Sequence, residues 1–111
     1  MAKNPEHRDL FPGALEIMIL QSLRLKPMHG YALVKHIKQV SDNLLQVEEG
    51  SLYPALYRLE LDGAIAARWG VSENNRKAKY YQITRRGRKL LAAQEQTWNK
   101  LSTAVQTVLA R

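Results

Sequence analysis

The apolar residues of this chain keep a helical spacing up to Gly63 and abandon it immediately afterwards. From Ile65 to Trp69, and again at Tyr81 and Ile83, they recur at every second position, and after Thr84 the helical spacing returns. Neighbouring side chains are about 100° apart on a helix and about 180° apart on a strand, so neither pattern can be folded as the other. The chain is therefore bound to place a pair of strands between a helical N-terminal part and a single C-terminal helix.

Within that frame the elements can be located. Pro12 and Gly13 open a helix over residues 12–25, since proline is favoured in a first turn, and Lys26-Pro27 ends it. A second helix covers residues 29–41, with Leu33, Ile37 and Val40 as its buried stripe and Tyr31, Lys35 and Lys38 opposite. After Asp42-Asn43 a third helix runs from about Gly50 to Leu61; Pro54 is tolerated in its first turn, and Asp62-Gly63 closes it. Leu52, Ala55, Leu56 and Leu59 form its apolar stripe. Ile65, Ala67 and Trp69 share one face of the first strand. The polar run 71–78 makes a long basic hairpin tip before the second strand. Thr84 caps a last helix from about Arg85 to Ala110. Its Leu91, Gln94, Trp98, Leu101, Val105 and Val108 follow a heptad spacing. At 1.5 Å per residue this helix is about 38 Å long, more than so small a domain can cover, and its seam calls for a partner helix, the alternative being that it folds back onto the first helix.

Composition narrows the function. With 111 residues there is room for one core, and the absence of cysteine removes disulfides, thiolate metal sites and thiol nucleophiles. It also fits a reducing, cytoplasmic setting. Residues 1–9 are polar, without the apolar stretch of a signal peptide, and no apolar run is long enough to span a bilayer. His7, His29 and His36 are scattered and lack supporting carboxylates, so neither a metal, a cofactor nor a catalytic constellation is expected. The net charge of +7 is unevenly spread: residues 65–111 hold ten basic residues against Glu73 and Glu95. A local cationic block of this kind suits a polyanion partner, or a solvated face.

The order of elements is that of a winged helix-turn-helix: a mainly α (α+β) fold with a two-stranded hairpin wing and a long C-terminal dimerisation helix. On this reading residues 1–84 form the DNA-binding unit and residues 85–111 the dimerisation helix. Three stretches make the resemblance specific: Met28-His29-Gly30-Tyr31, then Glu49 to Glu60 around Gly-Ser-Leu-Tyr-Pro-Ala-Leu, then Lys79 to Gly87. Together they resemble the PadR family of bacterial transcriptional regulators, over residues 10–91. The short tail is similar to the subgroup with a single C-terminal helix. The resemblance implies a homodimer on double-stranded promoter DNA, usually a repressor released by an effector.

The candidate contacts follow. Ser51, Tyr53, Pro54, Tyr57 and Arg58 form the face expected in the major groove, where Arg58 is placed to donate to guanine. The alternative for either tyrosine is packing on the second helix. Asn74, Asn75, Arg76, Lys77 and Lys79 make the wing set. Tyr31, Lys35 and Lys38 are candidates for phosphate, with plain exposure as the alternative. Glu48, Glu49 and Glu60 are expected to face inward or sideways. Arg85, Arg86, Arg88 and Lys89 oppose the helix dipole, as a functional cluster or as partners of nearby acids. Leu91, Gln94, Trp98, Leu101, Val105 and Val108 form the expected dimer interface. Trp98 is the candidate site for a planar aromatic effector, or else packs on the first helix. Two other readings use the same charge: an RNA- or ribosome-binding module, and a protein–protein adaptor built on the long helix. Sequence-specific RNA readers usually offer aromatics on a sheet, whereas here they lie on the third helix.

Overall fold

The computed structural model describes residues 13–111. In chain order it holds α1 (Ala14–Leu25), β1 (Met28–His29), α2 (Gly30–Val40), α3 (Glu49–Leu61), β2 (Ile65–Val71), β3 (Lys77–Ile83) and α4 (Arg85–Leu109). The winged helix-turn-helix expected from the order of elements is present. Pro12, expected to open α1, lies outside the described residues, as does His7.

The helix ends are set by local chemistry. His29 caps α2, its Nδ1 accepting from the Ala32 N–H at 3.2 Å. At the other end Asp42 and Asn43 take left-handed φ values of 55° and 66°. Their N–H groups return to the carbonyls of Gln39 and Lys38, satisfying two otherwise orphaned acceptors. Gly63, at φ 81°, does the same for α3: its N–H reaches Glu60 O and that of Ala64 reaches Leu59 O. Thr84 caps α4 by accepting from the Gly87 N–H at 3.0 Å while its hydroxyl donates to Gly63 O at 2.6 Å.

Four details differ from the sequence reading. α3 begins at Glu49, so Pro54 is the sixth helical residue rather than part of the first turn. It denies the Gly50 carbonyl its donor, at a turn where both residues are exposed to water. The sheet gains a third strand, because Met28 and His29 pair with Tyr81 and Tyr80 on the free edge of β3. The loop at the hairpin tip shrinks to five residues, 72–76, since β2 and β3 pair from Ile65↔Ile83 as far as Val71↔Lys77. Finally, Val40 and Trp69 are 68% and 62% exposed. Each lies on the face its spacing dictates, but beyond the edge of the core.

That core joins Ile19, Leu20 and Leu23 of α1, Leu33 of α2, Leu52, Leu56 and Leu59 of α3, Ile65 and Tyr81 of the sheet, and Leu91 of α4. Leu91 is thus taken up inside its own protomer, not left on a dimer seam. The extents are 54 × 35 × 27 Å and the radius of gyration is 15.1 Å. A compact chain of this length would have a radius of gyration of about 13 Å. The excess fits an α4 whose far half projects past the core. Among the described residues no helix is long and apolar enough to cross a membrane.

Gly87 is where α4 meets the sheet. A Cβ there would run into the Ala64 carbonyl and lie 2.8 Å from Ile83 Cγ1. We expect Gly87→Ala to cost about 1–3 kcal/mol, the usual penalty of overpacking. Gly50→Ala has nothing within 4 Å and should be neutral or slightly stabilising. Urea unfolding of the two variants side by side checks this, and equal midpoints would refute the tight helix–sheet contact.

Candidate nucleic-acid interface

The apolar stripe of α3 is buried, so its other positions must face outward. Gly50, Ser51, Tyr53, Pro54, Tyr57, Arg58 and Leu61 are all exposed, with Tyr57 at 63%. The two tyrosines differ. Tyr53 lies against Gly30 at the start of α2, and a Cβ on Gly30 would meet its ring carbons at 2.8 Å. One tyrosine therefore does pack on the second helix, while keeping 44% of its surface open. The flanks of α3 are both tied by ion pairs. Arg58 Nε lies 3.5 Å from Glu16 of α1, and Glu60 lies 3.4 Å from Lys79 Nζ of β3. Glu60 thus points sideways as expected, whereas Glu48 and Glu49 are exposed at the helix N-terminus, where negative charge suits the dipole.

Between α2 and the hairpin runs an open groove. It is lined by Lys26, Lys35, Arg76, Lys77 and Lys79, with Glu73 the one acidic residue on its walls. Aromatic rings are interleaved with these cations. Lys35 Nζ stands 5.5 Å from the Tyr31 ring centre, Lys77 Nζ 5.4 Å from Trp69, and Lys79 Nζ 5.7 Å from Tyr81. His29 meets Tyr80 edge-on at 5.3 Å. Burial pushes the Tyr81 hydroxyl above its ordinary range, with Lys79 pulling the other way. The phenol therefore stays neutral at the groove's inner wall. Such a surface can hold a phosphate backbone by charge and a base or sugar by its ring faces.

The wing set separates into two parts. Asn74, Asn75 and Arg76 sit on the tight turn, where Asn75 has φ 59° and the Ser72 and Arg76 main chains are bonded at 2.8 Å. Lys77 and Lys79 belong to β3 instead, and Lys79 is engaged by Glu60. Lys35 and Lys38 are exposed on α2 with Tyr31. At the start of α4, Arg86 donates to Asp62 at 3.0 Å, so this member of the cluster has an acid as its partner.

Sequence reasoning missed Lys26, His36 and Trp69 on the groove wall. The signal for Trp69 was present, a large aromatic next to a basic turn, but its strand spacing argued for the core. On α4, Gln94 is not free for a partner helix: its Nε2 donates to Glu16 Oε1 at 3.4 Å. Trp98 is half-buried within the protomer, and Leu101, Val105 and Val108 are 41%, 41% and 71% exposed.

Comparison with known proteins converges on one family. Residues 19–93 match the transcriptional regulator PadR-like family. A solved transcriptional regulator from Clostridium thermocellum superposes with a TM-score of 0.81 at 29% identity, covering 89% of this chain and 96% of that one. A PadR family regulator from Eggerthella lenta gives 0.73 at 35% identity over 87% and 82% of the two chains. A Lysinibacillus sphaericus protein of unassigned function is 30% identical, over 87% of this chain and 89% of its own length. The resemblance carried by the three sequence stretches is confirmed. With this fold, an exposed α3 face and a basic groove beside it, the chain belongs to the PadR-like family of transcriptional regulators, whose members are not enzymes.

Proposed function

We propose that this protein is a cytoplasmic, homodimeric repressor that binds promoter DNA sequence-specifically and is released by a small molecule. The observation that carries the reading is the exposed face of α3 standing beside the groove with five basic residues and one acid. α3 enters the major groove, with Tyr57 and Arg58 toward the bases and Tyr53 at its edge. The turn at Asn74, Asn75 and Arg76 follows a neighbouring strand or the minor groove. Two copies joined through Trp98, Leu101, Val105 and Val108 present two such helices to half-sites about 34–36 Å apart, or a multiple of it. A planar aromatic compound inserted near Trp98 releases the DNA if it binds better to a dimer with the wrong half-site spacing.

The test is a band-shift series with a duplex selected by the protein from a random-sequence library, a scrambled duplex, and an RNA of the same sequence. Arg58→Ala should weaken the selected duplex by about 1–3 kcal/mol and the scrambled one far less. Arg76→Ala or Lys77→Ala should weaken both alike and flatten the salt slope by about one unit per lost phosphate contact. Equal loss on both duplexes for Arg58→Ala would remove base reading from that residue. Preference for the RNA would favour the RNA-binding alternative.

A further inference from the structure

We propose that Glu16 is a positioning residue for DNA recognition, holding the guanidinium of Arg58 in the orientation in which it reads a base. This rests on the reading of Arg58 given above. Glu16 lies in the first turn of α1, where a carboxylate is favoured by the helix dipole without any partner. Its side chain is nevertheless only 24% exposed and joins two other helices, one through each oxygen. Oε1 accepts from Gln94 Nε2 of α4 at 3.4 Å, and Oε2 lies 3.5 Å from Arg58 Nε of α3.

The nitrogen that meets Glu16 matters. The contact is an ion pair at 3.5 Å with the Nε side of a planar, rigid guanidinium, so the charge of Glu16 draws that side of the group toward α1. On this proposal the Nη end of the group, the edge used for bidentate contact with guanine, is the part turned to the DNA. The Arg58 side chain is 60% exposed, so that edge is accessible. Arg58 also sits to one side of the α3 outer face rather than at its centre, about 110° from Leu52–Leu59 at 3.6 residues per turn. Untethered from α1, its long side chain would sample many rotamers and lose that freedom on binding. Gln94 fixes the carboxylate in turn, and so ties the base-reading helix to α4 as well as α1.

The charge of Glu16 gives this role its own signature. A carboxylate close to DNA opposes the phosphates of any duplex. Removing it should leave binding to scrambled DNA unchanged or slightly stronger, while binding to the selected duplex weakens. We expect Glu16→Ala to lower the ratio of selected to scrambled affinity roughly three- to tenfold, a part of what a bidentate arginine contributes. Glu16→Asp keeps the charge in the first turn but is one methylene too short to reach both partners. It should show the same loss of discrimination at an unchanged melting temperature. In an Arg58→Ala background neither substitution should change the ratio further, because nothing remains to be positioned. A purely structural Glu16 would weaken both duplexes together, with its effect intact in that background; this result, or an unchanged ratio in Glu16→Asp, overturns the proposal. If the wild-type protein shows no preference between duplexes, or Arg58→Ala keeps the full ratio, the reading of α3 fails first and the role of Glu16 goes with it.

Discussion

A chain carrying Leu101→Asp and Val105→Asp is expected to run as a monomer in gel filtration and to lose about a hundredfold or more in affinity for a palindromic duplex. The reason lies in how α4 divides. Its first turns are consumed by the protomer: Leu91 is buried in the core and Gln94 is bonded to Glu16. Leu101 and Val105 are each 41% exposed and share the face of Val108, which is 71% exposed. An apolar row of this kind on a projecting helix is a surface made to be covered. Aspartates there leave the isolated protomer intact, because the positions do not belong to its core. In a dimer they would bury four unpaired charges, a cost no helix pairing of this size can offset. Each half-site would then have to bind on its own, without the gain from a linked second site. Sedimentation equilibrium with a band shift on the selected duplex reads both effects. A variant that remains dimeric, or a monomer that keeps its affinity, would show that the far half of α4 is not the interface.

The second large effect concerns the seating of α3. Leu56 is 1% exposed and stands in the stripe with Leu52, Ala55 and Leu59. Leu56→Ala removes its transfer free energy and leaves a cavity that packed neighbours fill only in part. Together these cost about 2–5 kcal/mol. Against a total of about 5–15 kcal/mol for a typical domain, this is a large share of the stability. Leu56→Met, which nearly keeps the volume, should cost less than about 1.5 kcal/mol. Urea denaturation followed by circular dichroism distinguishes the two, and a loss in Leu56→Ala no greater than in Leu56→Met would mean that the stripe is not tightly packed. The fraction of Leu56→Ala that stays folded should still prefer the selected duplex, since the outward face of α3 is unchanged.

Much of the architecture was legible because its causes are local. Thr84 is a cap wherever it precedes a helix, and Gly63 closes α3 because it adopts a left-handed φ at no steric cost. The alternation from Ile65 to Trp69 can only be a strand. Other features escaped because their causes are distant in sequence. Two residues, Met28 and His29, show no period at all, and they form a strand only because the edge of β3 is there to pair with them. Val40 and Trp69 lie on the faces their spacing requires, but spacing does not reveal where the core ends. A heptad row likewise cannot say which helix covers it. Leu91 and Leu101 read alike on α4, yet only the first is buried in the core of its own protomer.

The candidate site divides along the same line. Which residues of α3 face outward follows from helical geometry, so Tyr53, Tyr57 and Arg58 could be named from the sequence by itself. What each one touches could not. Glu16, Arg58 and Gln94 lie on three different helices, and only their packing brings a carboxylate between a guanidinium and an amide. The groove beside α3 is lined by both α2 and the hairpin, so Lys77 and Trp69 share it with Lys35 and Tyr31, which are distant in sequence. Periodicity and capping are properties of neighbouring residues, so the sequence alone determined the four helices and the two hairpin strands, their order and their outward faces. Contacts between elements depend on how far each face extends over the others, so the tertiary structure alone decided which side chains are buried, paired or left open to a partner.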